Sequence, residues 1–320
     1  MNIPANAVSK TDIQAAHARI APYIRNTPVM EIAGSEVCHD TPVSLKLELF
    51  QHTGSFKPRG AFNNLLSKPV PAASVAAASG GNHGAAVAYA AGRLGYPADI
   101  FVPEISSPVK IARIEAAGAN VHIGGARYAD ALAHCESHQA ATGAIGVHAY
   151  DDPATIAGQG TVGLEWQSQA SDLDTVLISV GGAGLISGIA AWHGGAVKVV
   201  GVEPEGAPTL RAALAAGGPV DVEIGSLAAD SLGARSVGEI NHALCARHVD
   251  HVALVGDEAI RCAMAFLWTR LQIAAEPGGA AALAALLTGA YRPQPGERIG
   301  VLVCGGNIDP ATLAAHTVSS

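Results

Sequence analysis

The chain has 320 residues, of which 49% are hydrophobic and only 14% are charged, against about 25% charged residues in an ordinary soluble domain. This composition excludes a disordered chain, which would be charged and poor in aliphatic residues. The 19 Lys and Arg residues against 27 Asp and Glu residues give a net charge of −8, which argues against nucleic-acid binding. The 37 glycines indicate tight helix packing and places where bare backbone approaches a ligand.

Short apolar runs alternate with segments of helical length along nearly the whole chain. Such alternation predicts parallel strands joined by helices, and the almost continuous apolar runs predict sheets that are covered on both faces. The fold class is therefore α/β, with open, mostly parallel twisted sheets flanked by helices. In chain order, the predicted strands span residues 44–49, 75–78, 99–102, 120–123, 145–148, 175–180, 197–202, 251–255 and 299–304, and the predicted helices span 85–94, 109–117, 128–139, 156–169, 258–271 and 279–287.

The domain organisation has to be topological, because no low-complexity linker and no repeat divides the sequence. We expect a small domain at residues 74–151, inserted into a large domain made of residues 1–73 and 152–320.

Two uncharged stretches, residues 69–92 and 175–197, are long enough to cross a bilayer. Polar or glycine residues interrupt both stretches, which favours buried strand–turn–helix units over membrane spans. The N-terminus has no basic segment followed by an apolar run, so no secretion signal is expected. Five cysteines, at 38, 135, 245, 262 and 304, form no Cys-x-x-Cys pair. We expect a cytoplasmic protein with reduced thiols and no structural zinc.

The segment 51–61 places Lys57 directly before Pro58, a residue that suits the first position of a helix. Ligands in open parallel sheets bind where strands end and helices begin, and this segment follows a predicted strand. A solvated lysine on a turn is one interpretation. The other is a lysine in a desolvated site, which can lose its proton and form a Schiff base.

Three further segments follow predicted strands. Ser79–Gly84 offers backbone amides and Asn82 as an anion cradle, or a tight turn that Asn82 caps. Residues 179–185 are glycine-rich but carry neither the dinucleotide fingerprint, because Ser187 replaces its third glycine, nor a nucleotide P-loop. A phosphate at a helix N-terminus is its simplest use. Cys304 precedes two glycines and is either a buried hydrophobe or a thiol that faces a ligand.

Together, these four segments resemble those of the fold-type II pyridoxal-phosphate enzymes, in particular the serine/threonine dehydratase and serine racemase branch. The resemblance covers essentially the whole chain and rests most on the lysine motif at residues 53–61. It implies a fold like that of the tryptophan synthase β subunit, with two sheets, a large domain that binds pyridoxal 5'-phosphate, and a homodimer.

The resemblance also implies residue roles, with Lys57 as both the Schiff-base lysine and the base that takes the substrate α-proton. Ala183 replaces a glycine that many relatives carry, so its amide contributes only if its backbone is unstrained. Glu276 has an equally plausible role at a helix dipole. The implied cofactor contacts are Phe56, Lys57, Asn82, Gly181, Gly182, Ala183, Gly184, Leu185, Glu276 and Cys304, and the implied substrate contacts are Ser79, Gly80, Gly81, Asn82 and His83.

The loop that begins at Glu203 resembles a divalent-metal loop of some relatives, but Thr209 stands where those relatives carry a carboxylate. No metal is therefore expected, and a loop before a helix with a solvated Glu205 is the other interpretation.

The implied function is that of an ammonia-lyase, or dehydratase, which converts an L-threonine- or L-serine-type substrate into a 2-oxo acid and ammonia by β-elimination. A thiol at Cys304 cannot charge the pyridine nitrogen fully, which favours elimination over transamination. Racemases carry a serine where this chain has Gly80, and glycine transfers no proton. The segment 148–153 also matches the dehydratases. The alternatives are a serine racemase, a dehydratase for phenylserine or 3-hydroxyaspartate, and a binding protein for a phosphate ligand without catalysis.

Overall fold

The computed structural model describes residues 7–37, 39–69, 74–106 and 108–317, in which strands and helices alternate. The strands are β1 Val29–Ile32, β2 Val43–Leu47, β3 Val75–Ala78, β4 Ala98–Val102, β5 Asn120–Ile123, β6 Ile145–Gly146, β7 Thr175–Ser179, β8 Lys198–Pro204, β9 His251–Val255 and β10 Ile299–Val303. The helices are α1 Lys10–Ile20, α2 Lys57–Leu66, α3 Asn82–Leu94, α4 Pro108–Ala116, α5 Tyr128–Thr142, α6 Pro153–Gln169, α7 Gly184–His193, α8 Thr209–Ala216, α9 Ala229–Leu232, α10 Glu239–His248, α11 Asp257–Leu271, α12 Pro277–Leu287 and α13 Pro310–Thr317.

The strands form two sheets, which confirms the predicted α/β class. The larger sheet has the order β1-β2-β10-β7-β8-β9 and is parallel except for β1, which pairs with β2 antiparallel. The smaller sheet has the order β5-β4-β3-β6 and is parallel throughout. The carboxyl ends of parallel strands lie at one edge, so the turns that follow β3, β7 and β10 can each present residues to a ligand.

The strands of the smaller sheet lie between residues 75 and 146, inside the segment predicted as the small domain. The domain limits themselves stay a prediction, and residues 70–73, next to one limit, are outside the described residues.

All nine predicted strands are present, although β6 has only two residues. Strand β1 was not predicted, because it is a short edge strand with a charged residue. Helices α1, α8, α9, α10 and α13 were also missed, since they are short or polar. The start of α1 does carry a readable signal, a capping box between Ser9 and Asp12.

The alanine-rich helix α12 packs within the largest apolar core, where its residues 278–286 are buried. Small side chains allow this close approach of helix and sheet. The described parts of the two uncharged stretches form the units β3–α3 and β7–α7, as predicted. Within the described ranges, no helix has both the length and the apolar character that a bilayer span requires. Cys135, Cys245, Cys262 and Cys304 are free thiols, and Cys38 lies outside the described residues.

Candidate active site

Lys57 is the first residue of α2, which begins after two short turns of 3-10 helix that follow β2. Pro58 occupies the first turn of α2, where its missing N–H costs no helical hydrogen bond. The Nζ of Lys57 donates a 3.0 Å hydrogen bond to the carbonyl oxygen of Ala149 and lies 5.1 Å from the centre of the Phe56 ring. Among the described residues, no carboxylate pairs with this amine.

The environment of Lys57 favours the neutral amine. Desolvation lowers its pKa from 10.5 to about 8, although the nearby Cys304 and Glu276 act in the opposite direction. A lysine with such a pKa has a substantial neutral fraction near physiological pH, so it can act as a nucleophile or a base. The interpretation of Lys57 as a merely solvated charge is wrong.

The loop after β3 leads into α3, whose first-turn amides have no acceptor within the helix. The Oγ of Ser79 accepts a 3.2 Å hydrogen bond from the amide of Gly81 and so shapes the turn. The Nε2 of His83 donates to the carbonyl oxygen of Val147 at 2.8 Å. Burial, and secondarily Lys57, lowers the pKa of His83 to about 3, which keeps its ring neutral.

Asn82 is held by hydrogen bonds at both ends of its amide. Its Nδ2 donates to Oε1 of Glu276 at 2.7 Å, and its Oδ1 accepts from Nδ2 of Asn307 at 2.7 Å. Asn307 also donates to the carbonyl oxygen of Thr53, at 2.8 Å. This chain of contacts fixes which end of the Asn82 amide faces which neighbour and joins the loop before α3 to the lysine segment.

The glycine-rich turn between β7 and α7 wraps around Tyr150. A Cβ on Gly182 would overlap the Tyr150 ring, and a Cβ on Gly184 would lie 2.8 Å from the Tyr150 carbonyl oxygen. The first-turn amides of α7 have no acceptor within the helix, so they are available to bind an anion such as a phosphate. Asn241 supports this turn by donating to the carbonyl oxygens of Tyr150 and Gly182, both at 3.0 Å.

Ala183 adopts the left-handed conformation, with φ 68° and ψ 0°. This conformation costs a residue with a Cβ about 1–2 kcal/mol. The condition attached to Ala183 in the sequence analysis, an unstrained backbone, is therefore not met. The alanine carries a conformation that glycine would adopt without strain.

Cys304 and Glu276 close the site on the side of β10. Cys304 is 4% exposed, and burial raises the pKa of its thiol, so the thiol stays neutral. Glu276 is 6% exposed, and burial raises its pKa to about 7. It also occupies the N-cap position of α12, where its side chain makes no capping hydrogen bond and instead accepts one from Asn82.

The four predicted segments come together through backbone contacts. The amide of Phe56 donates to the carbonyl oxygen of Cys304 at 3.2 Å, and the amide of Gly306 donates to that of Gly54 at 3.0 Å. These bonds join the lysine segment to the end of β10. Residues 149 and 150 connect Lys57 with the glycine-rich turn, through the Ala149 carbonyl and the Tyr150 ring.

Sequence reasoning missed several supports of the site. Arg59 is fully buried and donates to Glu48 at 2.7 and 2.8 Å and to Glu165 at 2.9 Å, which anchors the start of α2. Arg59 lies within the lysine motif at residues 53–61, but no local pattern in the sequence pairs it with Glu48 and Glu165. Asn241 was missed for the same reason.

The Glu203 carboxylate accepts hydrogen bonds from the amides of Leu210 and Arg211 at 2.6 and 3.0 Å, and so holds the start of α8. In the part of the chain that the structure describes, no group of three or more His, Cys, Asp or Glu side chains is arranged to hold a metal ion.

The residues present fit pyridoxal phosphate in three respects. A partly neutral lysine amine can react with its aldehyde, the amides at the start of α7 can bind its phosphate, and a neutral thiol can face its pyridine nitrogen. Within the described residues, the buried hydroxyls of Thr53 and Ser55, in the lysine segment, have no hydrogen-bond partner. A group bound at this place can supply one.

Comparisons with known proteins agree with this geometry. The chain is 40% identical to phenylserine dehydratase of Ralstonia pickettii, over 95% of this chain and 94% of that protein. It is 36% identical to L-threonine ammonia-lyase of Geobacter sulfurreducens, over 95% and 77% of the two chains. The structure of maize serine racemase superposes with a TM-score of 0.91 at 34% identity, over 97% and 96% of the two chains. A family model described as pyridoxal-phosphate dependent enzyme matches residues 20–305, and the chain therefore belongs to this family.

Proposed function

We propose that the protein is a dehydratase that converts an L-β-hydroxy amino acid of the threonine or serine type into a 2-oxo acid and ammonia. The observation that carries this proposal is the desolvated Lys57 amine, with its pKa of about 8, at the meeting point of the four strand-end segments. The relatives named phenylserine dehydratase and L-threonine ammonia-lyase support the same reaction class.

In this proposal, Lys57 would hold the cofactor covalently through Nζ, and the backbone amides of residues 181, 182, 184 and 185 would bind the phosphate. Asn82 would bind the ring hydroxyl, and Phe56 would pack against the ring. Glu276 would lie near the ring, and Cys304 would face its nitrogen. When bound, pyridoxal phosphate supplies an electron sink for the electron pair that is left at the substrate α-carbon.

The chain's own groups bind the substrate and move its protons. The loop 79–83 takes the substrate carboxylate on backbone amides at the start of α3, where the helix dipole also favours an anion. With the substrate bound, the neutral amine of Lys57 would take the proton from the substrate α-carbon. The β-hydroxyl leaves with a proton as water, and the unsaturated product hydrolyses to the 2-oxo acid and ammonia.

The thiol of Cys304 favours elimination over transamination. Burial keeps it protonated, so it places no negative charge beside the pyridine nitrogen and does not stabilise a protonated ring. The cofactor would then supply a weaker electron sink, which would favour loss of a β-leaving group over transamination.

The preferred substrate follows from an assay of 2-oxo acid release from L-threonine, L-serine, phenylserine and 3-hydroxyaspartate. The relative from Ralstonia pickettii supports including the bulky phenylserine. The same assay tests the racemase alternative: mostly D-serine and little pyruvate from L-serine would overturn the argument from Gly80.

The cofactor test separates the enzyme from a phosphate-ligand binding protein, which has no need of Lys57. We expect the purified protein to be yellow, with an absorbance band that Lys57→Ala abolishes. The matched control is Lys68→Ala, which removes a surface lysine paired with Asp152 at 3.1 Å. A colourless wild-type protein that takes up no pyridoxal phosphate would contradict the proposal.

We also propose that the protein is a homodimer in the cytoplasm, in keeping with the resemblance and the reduced thiols. Light scattering of the purified protein tests the dimer, and a monomeric mass would contradict it. Fractionation of source cells tests the location.

A further inference from the structure

The turn between β4 and α4 brings Ser106 against the loop that precedes α3. The amide of Ser106 donates to the carbonyl oxygen of Pro103 at 3.0 Å, which fixes the turn. A Cβ built on Gly80 would overlap the Oγ of Ser106 and would lie 3.0 Å from its Cβ. The Ser106 hydroxyl therefore occupies the space that any side chain at position 80 would need.

The Ser106 hydroxyl is half-buried and has no hydrogen-bond partner among the described residues. Nearby polar groups are already engaged: Ser79 accepts from Gly81, and the His83 ring donates to Val147. A hydroxyl that stays unpaired at the edge of a site is available to a ligand.

Both sides of the Gly80–Gly81 backbone are lined. Ser106 lies on one side, and on the other the Asp230 carbonyl oxygen lies 3.8 Å from the position of a Cβ on Gly81. The Lys110 ammonium, on α4, forms an ion pair with the Asp230 carboxylate and so joins the two sides. Because Lys110 is four residues beyond Ser106, this pair restrains the turn that carries the hydroxyl.

We infer that Ser106 is a substrate-binding residue whose hydroxyl donates a hydrogen bond to the carboxylate of the amino-acid substrate. This inference rests on the proposed function, in which the loop 79–83 receives that carboxylate. Gly80 and Ser106 then act as a pair, because the missing side chain at position 80 makes room for a hydroxyl that comes from another part of the chain.

The role assigned to Ser106 is hydrogen bonding and not proton transfer. A serine hydroxyl becomes a base only when a neighbouring group takes its proton. Among the described residues, no such group bonds to Ser106. The hydroxyl therefore stays a donor, and a carboxylate is the acceptor that gains most from it.

The first test is Ser106→Ala. We expect KM to rise about tenfold or more, as for the loss of a hydrogen bond to a charged group, while kcat changes by less than about threefold. A second readout is the absorbance titration of the cofactor-loaded protein with L-alanine, which has the carboxylate and amine but no β-leaving group. Its affinity falls by the same factor, and the spectrum before ligand addition is unchanged.

Two variants control this test. Ser106→Thr keeps the hydroxyl and restores affinity to within about threefold of the wild type. Glu104→Gln changes an exposed side chain of the same turn and leaves both constants unchanged.

A double-mutant cycle tests the pairing of the two positions. In Gly80→Ala the new Cβ displaces the Ser106 hydroxyl, so this variant binds L-alanine about as weakly as Ser106→Ala, and the double variant is no weaker than either. Two results would overturn the inference in a protein that still catalyses elimination. One is additive losses of L-alanine affinity in the double variant, and the other is wild-type L-alanine affinity in Ser106→Ala. D-serine formation that Ser106→Ala abolishes would overturn the hydrogen-bonding role. Failure of the wild type to bind pyridoxal phosphate would instead remove the proposed function.

Discussion

Two lysines eleven residues apart have opposite surroundings. Lys46, on β2, is fully buried and donates to Glu165 at 2.6 Å and to the carbonyl oxygen of Thr27 at 2.8 Å. Lys57, at the start of α2, donates its one hydrogen bond to described residues to the backbone carbonyl of Ala149. Lys46 belongs to a charge network that consists of Lys46, Glu48, Arg59 and Glu165. Lys57 belongs to the candidate active site.

The difference lies in how each region compensates its charges. Two cations and two carboxylates meet in the charge network, and each Arg59 bond to a carboxylate is 2.9 Å or shorter. Glu48 and Glu165 raise the pKa of Arg59 against the opposing effect of its burial. The active site leaves its cation without such a partner. The ion pairs of Arg59 hold α2 in place. The Lys57 amine at the start of α2 lacks a carboxylate partner within the described residues and is therefore reactive.

The largest expected effect separates the two regions by activity. Lys57→Ala should lower the rate of 2-oxo acid release by about 10³-fold or more, because the nucleophile and base are the same group. The free energy of unfolding of the cofactor-free protein should stay within about 1 kcal/mol of the wild type or rise, since no charge partner is lost. Steady-state kinetics and urea denaturation measure the two quantities. A strongly destabilised Lys57→Ala protein would show that this amine is structural, like Lys46.

The charge network should respond in the opposite way. Arg59→Met leaves Glu48 and Glu165 as buried carboxylates with one cation between them, which should cost about 3–5 kcal/mol of stability. The control is Arg298→Met, because Arg298 is 47% exposed and pairs with Asp174 at 3.1 Å. Solvent screens this exposed pair, so Arg298→Met should leave the urea midpoint close to that of the wild type. Equal urea midpoints for the two variants would contradict the assigned role of Arg59.

Local sequence patterns predict the strands and the candidate site segments of this protein, but not the contacts between distant parts of the chain. The strand pattern and the four glycine or lysine turns are local, so periodicity and spacing identify them. The Lys57 motif is local too, although its low pKa depends on burial that only the fold creates. The contacts of Arg59 with Glu165, of Asn82 with Glu276 and of Ser106 with Gly80 join distant parts of the chain, and no local pattern encodes such pairs.

The rate at which the protein takes up pyridoxal phosphate should depend on pH through the Lys57 amine. Only the neutral Lys57 amine attacks an aldehyde, and its fraction grows as pH rises through its pKa of about 8. About 1% of the amine is neutral at pH 6 and about half at pH 8. The rate of pyridoxal-phosphate uptake by the cofactor-free protein should therefore rise roughly fiftyfold over this range. Stopped-flow absorbance measures the rate, and a profile that starts to rise only near pH 10 would mean that Lys57 is not desolvated.

The smallest expected effect concerns backbone strain on the active-site side, at Ala183. Ala183→Gly removes the cost of a left-handed alanine, about 1–2 kcal/mol, but the more flexible glycine costs about 0.4–1 kcal/mol through the unfolded state. We expect the cofactor-free protein to gain up to about 1.5 kcal/mol. The reverse change is the control: Gly95 has φ 78° with no atom within 4 Å of an added Cβ, so Gly95→Ala adds strain without a clash. This variant should lose a similar amount. Urea denaturation of both should give opposite signs, and equal signs would mean that the conformation of Ala183 is not strained.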